Sequence, residues 1–209
     1  MKRNVILPNS ANYPDYEKPD GNLRDEELDI LFKKMLREGR EIIFEDGMDN
    51  PIRHKTLLYV VLFREKFLEF ILRCINNYDY VEVMSNMLHY LGQIDNIILW
   101  DERRDLLEYY LIYSRSSRIK DGASLGLAHM DDPKSLPCFR IAVTREKVDT
   151  LRSWLIQVIE QLVVTKKQKE SEEKWKKEMN QLKNEIIQKL KNEIIQKLNP
   201  ETPILPHSF

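Results

Sequence analysis

Four histidines, His54, His89, His129 and His207, are the side chains best suited to acid–base or metal chemistry, and their spacing supports neither. No HxxxH or HxH pair occurs, so no two of them share a helix face as metal ligands do. His129 lies close to Asp131 and Asp132, which is half of a metal-ligand set. An acidic pair directly before Pro133 has a plainer use, because aspartate caps a helix start and proline fits its first position. The chain has no GxSxG elbow, Walker loop or dinucleotide fingerprint. Only 6 glycines are present, which also argues against phosphate-cradling loops. The abundant carboxylates fall on helical stretches, where i,i+4 partners and solvent account for them. The residues therefore predict a non-enzymatic protein with no cofactor and no metal.

Binding chemistry has two candidates. Arg103, Arg104, Arg115, Arg118 and Lys120 form the densest basic group of the body, with Tyr109, Tyr110 and Tyr113 interleaved. Such an edge could track a phosphate backbone. Asp101, Glu102, Asp105, Glu108 and Asp121 are interspersed and would cancel much of its field, and the formal net charge is only −1. Packing into the core would be the ordinary use of the tyrosines. The second candidate is the C-terminal stretch, where Trp175 stands among lysines and Ile186, Leu190, Ile194 and Leu198 recur every four residues. This stretch carries a perfect duplication, KNEIIQKL at 183–190 and again at 191–198. Steps of four drift 40° each, so the stripe winds around the helix. That favours an amphipathic helix that docks locally or self-associates over a long coiled coil. Ten Lys against seven Glu over 165–209 leave a net of only +3, weak for a membrane surface.

The elements that must position these residues are helical. With 42% hydrophobic and 32% charged residues, the composition suits slender, solvated helices. Residues 1–22, with Pro8, Pro14, Pro19 and Gly21, read as an extended arm that Tyr13 and Tyr16 could dock. A helix from Asp25 to about Gly39 and an irregular connection fill 23–54, with Asp46-Gly47 and Asn50-Pro51 as turn signals. The apolar spacing then predicts one central helix over Lys55–Asn76, broken by Asn76-Asn77. Further helices are predicted over Tyr80–Leu91 (ended by Gly92, before Asp95), Glu102–Tyr113, Ile119–Met130, Pro133–Arg145 and Val148–Val164. Gly122, Ala123, Gly126 and Ala128 leave room for a neighbouring helix to approach closely. A separate charged amphipathic helix is expected over 165–199, and a disordered tail over 200–209. Cys74 and Cys138 lie in apolar helical stretches without CxxC spacing, as buried thiols of a reducing compartment do. The N-terminus lacks a secretory apolar core, and the longest apolar run, Leu57–Phe63, is far too short to span a membrane. A cytoplasmic location is expected.

Met87–Asp95 (MLHYLGQID) and Ala123–Asp131 (ASLGLAHMD) align with an offset of 36 residues. Helix–acidic turn–helix units of that length resemble the HEAT repeat, most clearly over Arg118–Leu162 and more weakly over the rest of 55–164. The resemblance implies an all-α fold: a short right-handed α-solenoid of about three helix pairs, flanked by the N-terminal arm and the charged C-terminal helix. It also implies that Arg118 and Asp131/Asp132 bridge and cap neighbouring units. The family's usual work is scaffolding through a concave face, so a protein-binding adaptor or regulatory subunit is the expected function. The partner would be another protein, with self-association through the C-terminal helix as a further route. Nucleic-acid binding along the Arg103–Lys120 edge is the alternative. Some bacterial members handle tetrapyrrole chromophores as lyases or chaperones, or excise alkylated bases from DNA; the first would make this chain a ligand carrier.

Overall fold

A computed structural model of the chain describes residues 23–42, 50–74, 78–94 and 97–198, and all regular structure among them is helical. The expected arm and tail, the Asp46-Gly47 and Asn76-Asn77 turns, Asp95 and His207 lie outside the described residues.

Helix α1 (Asp25–Gly39) starts with Asp25, Glu26 and Glu27, which suit the positive end of its dipole. It buries Leu28, Phe32, Met35 and Leu36 at helical spacing. The stretch predicted as one helix over Lys55–Asn76 is two helices, α2 (Pro51–Phe63) and α3 (Glu65–Cys74). It also begins earlier than expected. Asn50 is an N-cap whose side chain accepts from Arg53 N–H at 2.9 Å, with Pro51 in the first helical position. The break between them falls at Arg64, whose φ of 48° takes the chain out of helix. Helical bonding resumes at once, with Phe67 N–H and Leu68 N–H both donating to the Arg64 carbonyl. Packing explains the bend. Tyr59 and Phe63 of α2 and Phe67 and Phe70 of α3 surround Phe32 of α1, with ring centroids 5.0 to 5.5 Å away. A straight helix could not place all four rings around one. Apolar periodicity runs unbroken through Arg64, so the pattern carried no sign of the break.

A short 3₁₀ turn (Tyr78–Tyr80) leads into α4 (Val81–Gly92), followed by α5 (Trp100–Tyr113) and α6 (Ser117–Met130). A 3₁₀ turn (Pro133–Ser135) precedes α7 (Leu136–Arg145) and α8 (Asp149–Leu198). Helices two apart in sequence pack together. α4 lies between α2 and α6, α6 between α4 and α8, and α5 between α3 and α7. Consecutive pairs α4–α5, α5–α6 and α7–α8 are also in contact.

The tightest contact is α4 on α6, and the small residues make it. An added Cβ on Gly92 would lie 1.9 Å from the Gly126 carbonyl oxygen, and one on Gly122 would lie 2.1 Å from that of Ser85. The two backbones touch where side chains would normally separate them.

Helix α8 is continuous over 50 residues, so no boundary interrupts the backbone at Thr165. No Gly or Pro occurs between Asp149 and Leu198 to stop it. Leu151, Leu155, Val158 and Leu162 are buried against the body, whereas every residue from Lys166 to Ile195 is exposed. The change of composition marks where the helix leaves the body. At 1.5 Å per residue the exposed stretch is about 45 Å long.

Candidate interaction surfaces

The five cations of the proposed phosphate edge do not form a common face. Arg103 is fully buried, 0% exposed, and therefore cannot meet a ligand from solvent. Its guanidinium donates to the carbonyls of Leu91 at 2.5 Å, Ile94 at 3.3 Å and Ile98 at 3.1 Å. It lies 5.6 Å from the centroid of the Trp100 ring. Burial pushes its pKa down to about 10, which still leaves it charged at neutral pH. It holds the C-terminal end of α4 and the loop that follows. Arg104 sits among acids, 2.7 Å from Asp101, 3.1 Å from Asp105 and 3.3 Å from Asp132. Arg118 pairs with Glu82 of α4 and with Asp121 at 3.0 Å. Lys120 pairs with Glu146 at 2.9 Å, and Arg115 is exposed between α5 and α6. Paired in this way, the cations present little net field to a phosphate backbone. Tyr110 is buried, its hydroxyl donating to the Leu72 carbonyl at 3.4 Å, as ordinary core packing predicts. Tyr109 and Tyr113 are exposed instead, at 52% and 63%.

The acidic turn works as joinery. Asp131, with φ at 46°, ends α6, and its carboxylate accepts from the Thr165 hydroxyl at 2.9 Å and from Gln161 at 3.1 Å. Lys169 donates to its carbonyl at 3.3 Å, so α8 stays fastened to the body for a turn beyond Thr165. Asp132 caps the 3₁₀ turn through Lys134 N–H and also accepts from Trp100 and Arg104. His129 takes no part in this cluster; its ring stacks on that of His89, with centroids 4.9 Å apart. Among the described residues, no three His, Cys, Asp or Glu side chains converge as a metal site would require.

Sequence reasoning missed Glu146, which is 6% exposed at the α7–α8 turn. Its carboxylate accepts from Lys147 N–H and Val148 N–H, both at 2.9 Å, and from Lys120 on α6. Its carbonyl accepts from Arg152 at 2.8 and 3.0 Å. Burial alone would raise its pKa, but the Val148 and Lys147 N–H groups and the Lys120 ammonium outweigh it and hold the carboxyl below its ordinary value. A depressed carboxylate stabilises the fold above the unfolded pKa and loses that contribution as pH falls through the folded one. Glu146→Gln should therefore cost about 1–3 kcal/mol at neutral pH. The gap from the parent should close as pH falls below about 4.5, which urea unfolding at several pH values would measure. A gap independent of pH would show that the charge of Glu146 is not what matters.

The C-terminal stripe is exposed throughout its described length. Trp175 is 61% accessible, Ile186 49%, Leu190 52% and Ile194 56%; the side chain of Leu198 lies outside the described residues. Met179 and Leu182, absent from the sequence-based candidates, join it at 44% and 49%. Their 4-3-4 spacing, Trp175–Met179–Leu182–Ile186, was readable in the sequence, but the duplication downstream is the more conspicuous signal. No described helix is long and apolar enough to cross a membrane. Comparison with protein-family models, with curated protein sequences and with solved structures yields no match.

Proposed function

We propose that this chain is a non-enzymatic protein-binding adaptor of the cytoplasm, built as a short HEAT-like α-solenoid with a projecting helix. Two rows of alternate helices, α2–α4–α6–α8 and α3–α5–α7, support the solenoid reading, because each unit of such an array packs on its neighbours. Arg118 supports it too, since it joins α6 to the preceding α4 through Glu82. The observation that carries the adaptor reading is α8 beyond Lys166. The body closes its own core, and the helix then continues into solvent with an apolar stripe on it. Contiguous exposed apolar surface of this kind is uncommon without a partner.

Truncation tests the idea. A chain ending at Glu173 keeps the Thr165 and Lys169 bonds to Asp131, and should unfold at the same temperature as the full chain. Affinity capture followed by mass spectrometry should then lose a partner that the full chain retains. Equal recovery by both chains would remove the projecting helix from the reading.

A further inference from the structure

We infer that the projecting half of α8 pairs with the same segment of a second copy of this chain, as a parallel two-stranded coiled coil. This rests on the interaction reading above and names the partner. Trp175, Met179, Leu182 and Ile186 follow a d-a-d-a pattern, which forms a straight seam. In that register Lys176 and Lys183 occupy the e positions, and Glu178 and Glu185 the g positions. A parallel dimer brings g of one helix to e of the next heptad on the other, so Glu178 meets the lysine at 183 of the second copy. An antiparallel dimer would set e against e and g against g, lysine on lysine and glutamate on glutamate. The charges complement each other in one orientation only.

The duplication extends the same scheme. It advances by eight residues, one more than a heptad, so Lys191, Glu193 and Ile194 repeat the roles of Lys183, Glu185 and Ile186 after a one-residue skip. Coiled coils absorb such insertions by changing their winding locally. Glu185 then meets the lysine at 191 of the second copy. Lys189 falls in the seam at the skip, where packing is interrupted. The chain's own body is not the occupant. Counting 100° per residue, the seam lies roughly 140° around α8 from the docked face of Leu155 and Leu162.

Sedimentation velocity on the full chain should give twice the 25.0 kDa chain mass. Ile186→Asp should weaken the dimer at least about 100-fold while leaving the thermal transition of the body in place. Lys183→Glu should weaken it too, and the double variant E178K/K183E should recover it. Orientation is read with Met179→Cys and Ile194→Cys, each made in a Cys74→Ser background. Cys138 can stay, because it is buried and its thiol is pushed up to about 12. Both engineered sites should form symmetric disulfides on oxidation, whereas an antiparallel pair can bring at most one of them together. A monomeric full chain, a dimer indifferent to Ile186→Asp, or crosslinking at only one site would overturn the inference. A monomeric chain that still captures a foreign protein through this helix would overturn the dimer and leave the adaptor reading standing.

Discussion

Gly92→Ala is expected to destabilise the protein by about 3 kcal/mol or more, a shift of roughly 10 °C in its thermal midpoint. The sign is the informative part. In an ordinary helix interior, Gly to Ala is favourable by about 1 kcal/mol, because it restricts the unfolded chain. At Gly92 the new methyl carbon would lie 1.9 Å from a carbonyl oxygen of Gly126 and 2.5 Å from its Cα. These are backbone atoms, so no rotamer change relieves the overlap, and α4 and α6 must separate along their length. Separation would open the packing of Leu88, Leu91 and Leu127, all fully buried. Gly122→Ala meets the same obstacle at the Ser85 carbonyl and should behave alike. Chemical denaturation of both variants checks this, and a neutral or stabilising result at either site would mean that the helices are farther apart than described.

That contact was also the most legible part of the fold. Glycines four apart on one helix, Gly122 and Gly126, announce a close approach, since glycine is costly in a helix unless something needs the space. Helix starts were equally readable, as at Asp132-Pro133 and in the acidic first turn of α1. The bend at Arg64 was not, because it is fixed by five aromatic rings from three helices gathering at one point. No local pattern records that. The continuity of α8 is hidden in the sequence for a related reason. Composition changes at Thr165 because the environment changes from body to solvent, while the backbone, lacking Gly or Pro, continues unaffected. For the candidate sites, charge type was readable and pairing was not. Arg103, Arg104, Arg118 and Lys120 look like one basic group in the sequence, but each is committed to a different carbonyl or carboxylate across the fold.

Arg103→Leu is expected to cost about 3–5 kcal/mol, since each buried carbonyl left without its donor costs about 1–3 kcal/mol. Leucine fills much of the volume but donates to nothing, so the carbonyls of Leu91, Ile94 and Ile98 would lose a buried cationic donor together. One of them, Leu91, belongs to the last turn of α4, where a cation also complements the negative end of the helix dipole. Arg103→Lys should recover only part of the loss. An ammonium carries the charge but is a compact donor that cannot span three carbonyls as the planar guanidinium fork does. Arg104→Ala, one residue away, should cost less, because Asp101 and Asp105 are exposed and re-solvate freely, while the buried Asp132 keeps its bonds from Trp100 and from Lys134 N–H. The contrast between neighbours is the measurement. Equilibrium unfolding of the three variants should place Arg103→Leu lowest, with Arg103→Lys and Arg104→Ala both above it. A loss at Arg103 no larger than that at Arg104 would mean that the carbonyls of Leu91, Ile94 and Ile98 do not depend on its guanidinium.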